Sequence, residues 1–257
     1  MPSTTPVRQV APGVHRLGDD VVNFYLVDHP DGLVLVDAGL PGHLGQLRAH
    51  LATTGRDLAD VRAVLITHAH PDHTGLVTAL TEAGVAVRVH SADAPILADG
   101  PRGAMRHAKP ERSMLPYLLR RSAAVGTPLH MARYGGFTAP PFTGAHGFDG
   151  DRTFDELPGR PRVIAVPGHT SGSTAYAFPD LGVVFTGDAL VTHDGLTGHR
   201  GPGLVCRAFT GDSAAALVSL DRLDSLPDTA LLLPGHGDPF AHGVAAATAL
   251  ARHTGVS

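Results

Sequence analysis

The sequence predicts a mixed-sheet α/β protein, and three observations predict it. Apolar, β-branched runs of strand length alternate with segments of helical periodicity along most of the 257 residues. Some neighbouring runs are separated by too few residues for a helix, so hairpins and crossovers must share a sheet. At 43% hydrophobic and 17% charged, the chain has an ordinary globular composition and length enough for one large domain or two small ones.

Taken in order, residues 21–29 (VVNFYLVDH) and 32–39 (GLVLVDAG) read as strands joined through the turn chemistry of Pro30 and Gly32. Residues 41–55 place Leu44, Leu47 and Leu51 at helical spacing, with Gly55 as the stop. VRAVLIT (61–67) is a buried strand that runs into HAHPDH. Residues 71–84 then read as a helix with Pro71 in its first turn and Gly84 at its end, followed by a strand at 85–90. In the second half, residues 161–173, 182–190 and 229–239 each read as a strand ending in a glycine beside a His or Asp. Residues 211–226 form a helix that Asp212 or Ser213 can cap, and residues 239–253 close the chain as another helix.

Residues 100–145 differ. They carry Arg102, Arg106, Lys109, Arg112, Arg120, Arg121 and Arg133 against a single acid, Glu111, and three of the four methionines, Met105, Met114 and Met131. This reads as an insertion with one or two helices. It is either a partly apolar lid whose arginines meet an anionic group on a substrate, or an amphipathic face used for packing or homodimerisation.

The net charge of −4 gives no basic bias towards nucleic acid or membrane surfaces. The lone Cys206 excludes an internal disulfide framework and fits a reducing compartment. With no apolar leader or membrane-length apolar stretch, the expectation is a soluble, cytoplasmic protein acting on a small molecule.

Histidine is the residue that composition does not explain. There are 17, and five of them stand with two aspartates at the ends of four strands: His68, His70, Asp72 and His73, then His169, then Asp188, then His236. Imidazole and carboxylate are common ligands of zinc and other first-row divalent ions. His68 and His70, two apart in extended backbone, can face one ion, whereas Asp72 and His73 in the next helical turn can serve a second. Seven donors are too many for one tetrahedral site and suit two ions sharing a carboxylate and a water. Gly168, Gly187 and Gly235 each precede a donor, where a missing side chain lets the backbone turn tightly. Of the remaining histidines, His193 and His199 follow Asp188 closely enough to reach a pocket, and the other ten, such as His43, His50 and His253, read as surface.

THAHPDH, PGHTSGS, TGDAL and PGHGDP, in that order and with Asp37 upstream in VLVDAG, resemble the motif set of the metallo-β-lactamase-fold superfamily from about Val21 to the final helix. The resemblance implies one domain over residues 1–257, an αβ/βα four-layer sandwich of two mixed β-sheets flanked by helices, with a dinuclear metal site at the edge between its halves. It implies that His68, His70 and His169 hold one ion, that Asp72, His73 and His236 hold the other, and that Asp188 bridges them. Asp37 would orient a ligand histidine or the adjacent loop; the alternative is an aspartate that merely ends a strand. Zinc is the expected metal, with iron or manganese as alternatives.

Such a centre would make a hydroxide of the shared water, with Asp72 beside it to carry a proton to the leaving group. The expected reaction is hydrolysis of a small ester, thioester or lactone. The β-lactamases of the superfamily lack the bridging aspartate, so Asp188, with Cys206 matching no ligand position, points away from antibiotic hydrolysis. The glutathione-binding extension of glyoxalase II is not evident, since only Arg252 is basic after His236, and no long basic arm matches the tRNA-processing branch. Two alternatives remain: a mononuclear iron oxidoreductase resembling persulfide dioxygenases, and a phosphodiesterase on the same fold. Met114 and Tyr117 of the insertion, with His193 and His199, are the candidates for a substrate pocket.

Overall fold

The computed structural model describes residues 6–228 and 230–257. Thr229, which the sequence pattern puts at the start of the last strand, lies outside the described residues.

Two strands that the periodicity does not single out come first: β1 (Arg8–Ala11) and β2 (Val14–Gly18). They pair antiparallel and lead, still antiparallel, into β3 (Asn23–His29) and β4 (Gly32–Val36). α1 (Leu44–Ala52) then crosses over to β5 (Val61–Leu65), which is parallel to β4. α2 (Val77–Glu82) returns the chain to β6 (Ala86–His90). After α3 (Ala94–Asp99), residues 100–145 form not one or two helices but three short ones, α4 (Pro101–His107), α5 (Leu115–Arg120) and α6 (Gly126–Arg133), with a 3-10 turn at Ser122–Val125. Pro101, Pro116 and Pro128 each sit near the start of one of them, which divides a periodicity that reads as continuous. β7 (His146–Phe148) closes a seven-stranded sheet in sequence order.

The second sheet begins with β8 (Arg152–Thr153), β9 (Arg162–Ala165), β10 (Thr174–Phe178) and β11 (Val183–Gly187), all antiparallel neighbours. β12 (Val191–His193) and β13 (Arg200–Gly203) make a separate two-stranded ribbon. α7 (Ser213–Leu223), capped by Asp212 through the amide of Ala215, leads to β14 (Leu231–Pro234), parallel to β11. α8 (Val244–Thr254) ends the chain.

Alternation along the strands builds four layers. On β4, Leu33 and Leu35 face α1 and α2, while Val34 and Val36 face the other sheet. On β10, Ala175 and Ala177 face α7 and α8, while Tyr176 and Phe178 meet Val34 and Val36 in the central layer. One apolar cluster lies under each helical layer and a third lies between the sheets, the arrangement that two-sided burial of a sheet demands. Each large apolar side chain removed from water contributes about 1.5–3 kcal/mol to holding the layers together.

Because β9, β11 and β14 run in the same direction, their carboxyl ends lie at one end of the second sheet. The carboxyl end of β5 meets that end directly: Thr174 donates its amide to the Thr67 carbonyl at 2.8 Å, and Tyr176 donates its hydroxyl to the Ile66 carbonyl at 2.9 Å. The four ligand-bearing loops therefore converge on one sheet edge. No helix among the described residues is long and apolar enough to cross a membrane.

Candidate metal centre

The structure brings all seven candidate donors together. The ligand atoms of His68, His70 and His169 lie within 4.8 Å of one another, as do those of Asp72, His73 and His236. Asp188 lies between the two trios, forming a third group with His68 and His73. Its Oδ2 is 3.8 Å from His68 Nε2, 3.5 Å from His169 Nε2 and 3.2 Å from His236 Nε2, and its Oδ1 is 3.4 Å from His73 Nε2.

One expectation is corrected. Asp72 and His73 are not in a first helical turn; α2 starts only at Val77. The backbone after Pro71 bonds sideways instead, with Ala38 donating to the His73 carbonyl at 2.8 Å and Gly75 donating to the Gly39 carbonyl at 2.7 Å. That pairing, rather than an i→i−4 ladder, sets the direction of His73.

Several donors are turned by a neighbour. Asp37 accepts from His73 Nδ1 at 2.9 Å and from the amide and hydroxyl of Thr67, so it orients both the ligand histidine and the loop. It does so from a left-handed backbone, φ +61°. The hydroxyl of Thr67 lies 3.2 Å from His68 Nδ1. His236 donates Nδ1–H to the Val21 carbonyl, leaving Nε2 for the centre. Gly235 lets the last loop approach: a Cβ there would stand 2.4 Å from Asp188 Oδ1 and 2.7 Å from His73 Cε1.

Three buried atoms at this place, His68 Nε2, His73 Nε2 and Asp188 Oδ1, have no hydrogen-bond partner among the described residues. Leaving such groups unmet costs about 1–3 kcal/mol each. Nitrogen and carboxylate donors, buried, unpaired and facing one another, fit divalent cations.

The electrostatics agree. Burial holds His68 and His169 well below the usual imidazole value, helped by the neighbouring histidines, and so keeps them neutral as ligands must be. Burial also pushes His73 and His236 down, but the surrounding carboxylates outweigh it: Asp37, Asp188 and Asp72 lift His73 to about 9, and chiefly Asp188 lifts His236 to about 10. Asp188 is held well below the carboxylate range by His236, His73 and His68, against its burial. The pocket has an excess of carboxylate charge that protons or cations must balance.

Three supporting residues escape sequence reasoning. Asp93 is fully buried and accepts from the Ala69 amide, the Gly172 amide and the Thr170 hydroxyl, all at 2.8–2.9 Å, which ties the HAHPDH loop to the loop of His169. It lies outside the motifs that the sequence singles out. Asn23 donates its side-chain amide to the carbonyls of Pro234 and Gly237, and Tyr25 donates its hydroxyl to Pro234, so β3 holds the His236 loop. Both sit inside an apolar strand pattern that does not reveal their role. His43 and His130, grouped with surface histidines by sequence, instead face the Asp19 carboxylate, and His43 is completely buried.

The other candidates take different places. His193 ends β12, whose Thr192 amide donates to the His236 carbonyl at 3.0 Å; burial, then Arg200 and His236, push its imidazole below the usual value. His199 packs against Gly203 within the same ribbon. Met114 and Tyr117 pack on Leu196, Cys206 and Ala208, and Tyr117 donates its hydroxyl to the Ser257 carbonyl. The insertion reaches the rim elsewhere, with Tyr134 and Met131 against Leu40 and Val22.

Comparison with known proteins bears on the family and the fold. Residues 17–236 match the family model described as the metallo-beta-lactamase superfamily. The chain is 28% identical over 251 residues to the probable metallo-hydrolase YflN of Bacillus subtilis (strain 168), covering 90% of this chain and 86% of that protein. It is 41% identical over 75 residues to the hydroxyacylglutathione hydrolase of Cereibacter sphaeroides (strain ATCC 17029 / ATH 2.4.9), a stretch that spans 29% of this chain but only 26% of that protein. Among solved structures, TTHA1623 in a di-iron-bound form superposes with a TM-score of 0.62 at 30% identity, over 91% of this chain and 96% of that one. A metallo-beta-lactamase family protein of Thermus thermophilus, TTHA1429, gives 0.66 at 29% identity, over 96% and 80%.

Proposed function

The chain belongs to the metallo-β-lactamase superfamily, and from that premise we propose that it is a dinuclear metal-dependent hydrolase of a small ester, thioester or lactone. The observation that carries this reading is Asp188: one buried carboxylate within 3.2–3.8 Å of four histidine nitrogens drawn from both trios, the position of a shared ligand. His68, His70 and His169 would hold one ion and Asp72, His73 and His236 the other. Zinc suits the nitrogen-rich donors, and iron suits them as well.

Bound there, the ions would supply Lewis-acid polarisation of the scissile group and an activated water. The chain's own part is to position and to move protons. Asp37, Thr67 and the Val21 carbonyl fix the imidazole rings, so that little reorganisation is left for the reaction. Asp72 is the most accessible carboxylate of the set, its Oδ2 3.4 Å from His236 Nε2 and 3.8 Å from His73 Nε2. From there it can hand a proton to the departing oxygen or sulfur. A neutral small molecule or a small anion is the expected substrate, and the chain acts in the cytoplasm without nucleic acid or membrane.

The test is a hydrolysis screen across thioesters, lactones, esters and phosphodiesters on protein of known metal content. Two ions per chain with turnover of a carboxylic ester, thioester or lactone supports the proposal. One iron per chain with oxygen uptake overturns it in favour of an oxidoreductase, and turnover of phosphodiesters alone moves it to that class.

A further inference from the structure

We infer that Asp19 is a positioning residue for the Asp72–His73–His236 half of the centre, and that the 100–145 insertion holds it in place through His130; this rests on the dinuclear reading above.

Asp19 lies between β2 and β3 and is 4% exposed. Its Oδ1 accepts from the amides of Val21 at 2.8 Å and Val22 at 3.0 Å, and its own amide donates to the Val22 carbonyl at 2.9 Å, which closes a tight turn. The Val21 carbonyl on that turn is the group that receives Nδ1–H from His236. Asp19 thus sets where the second ring nitrogen of His236 points.

Its Oδ2 faces two histidines from distant segments. His43 Nδ1 accepts from the Leu40 amide at 3.1 Å, so His43 carries its proton on Nε2 and donates it to Asp19 at 2.9 Å. Leu40 belongs to the loop that starts at Asp37 and Ala38, the residues bonded to the side chain and the carbonyl of His73. His130 Nε2, from α6, stands 2.8 Å from the same oxygen, an ion-pair contact without hydrogen-bond alignment. One carboxylate therefore joins the support of His236, the support of His73 and the insertion.

A turn alone does not require this. Serine or asparagine would accept the same two amides without burying a charge, and a buried carboxylate is retained at a cost unless charged or polar partners meet it. The first trio is held differently: Asp93 accepts from the Ala69 amide and the Thr170 hydroxyl, and Thr67 faces His68. The two halves share Asp37, which bonds both His73 and Thr67, but only the half with His236 also rests on the Asp19 turn.

The experiment measures zinc bound per chain, and the affinity of each ion by competition with a chromogenic chelator, in the full-length protein. Asp19→Asn should keep one ion at the wild-type affinity and bind the other about 10–100-fold more weakly, the usual consequence of losing a residue that orients a ligand. His130→Ala, at a half-buried position on the insertion, should weaken the same ion in the same direction, and His130→Lys, which keeps a positive charge beside the Asp19 carboxylate, should restore it; these variants carry the test if Asp19→Asn does not fold. A merely structural role would weaken both ions together, and that result, or no change in either, overturns the inference. A wild-type chain that binds one ion overturns the dinuclear reading and this inference with it, whereas two ions in wild type and an unchanged profile in the variants overturns this inference alone.

Discussion

His73 points Nδ1 at Asp37 Oδ2, 2.9 Å away, and thereby points Nε2 at Asp188 Oδ1, 3.4 Å away. The first contact decides the second, because an imidazole whose proton is fixed on one nitrogen has only the other to offer an ion. Asp37→Asn should therefore weaken metal binding about 10–100-fold while leaving the fold intact, since asparagine also tolerates the left-handed backbone at this position. Chelator competition and a thermal melt, run together, check both halves of that expectation.

Asp188→Ala removes the one carboxylate that reaches both trios. The variant should lose at least one ion per chain and most of its turnover. Full activity with unchanged metal content, measured by elemental analysis on the assayed sample, would contradict the shared-ligand assignment.

Gly235→Ala tests the close approach of the last loop. The added carbon would stand 2.4 Å from Asp188 Oδ1 and 2.7 Å from His73 Cε1, too near for either to stay. Overpacking of this kind typically costs about 1–3 kcal/mol, and here it also displaces two donors. A lowered melting temperature together with reduced metal content is expected, and a metal content equal to wild type would show that the donors shift without loss.

The chemistry of this centre is legible in the sequence because its donors sit in short runs with glycines beside them, and local spacing survives folding. Strand and helix patterning gives a mixed-sheet α/β protein, and the four layers come from the family resemblance that the motifs carry. What stays hidden depends on partners far away in the chain. Asp93 and Asp19 belong to no motif, and their partners, the loop of His169 and the helix of His130, come from distant parts of the chain. The helical start after Pro71 is misread for the same reason, because residues 38–39 take its backbone hydrogen bonds. The strands β1 and β2 are short and carry Arg8, Gln9, His15 and Arg16, so no apolar run marks them.

Cys206 should be chemically silent. It is fully buried, and burial together with the nearby Asp194 pushes its thiol up to about 12. Thiolate is the reactive form, so Ellman's reagent at pH 8 should find no thiol in the folded protein and one per chain in denaturant. A full equivalent released quickly from folded protein would show that the packing around Leu196 and Ala208 opens readily.

Acid should draw down the stability that the Asp19 node contributes well before that carboxyl takes a proton in the folded chain. Burial alone would raise this carboxyl, but the His130 and His43 side chains and the amides of Val21 and Val22 outweigh it and hold its pKa far below the usual carboxylate range. A carboxyl depressed on folding contributes stability that is fully present above its unfolded value near 3.9 and is lost as pH falls below it. Hydrogen bonds to a charged group are worth about 1.5–3 kcal/mol, so wild type should exceed Asp19→Asn by that order at pH 6, and the gap should narrow steadily towards pH 3. Urea unfolding of the two proteins across that range measures it directly. A gap that stays constant with pH would mean that Asp19 acts through shape and not through charge.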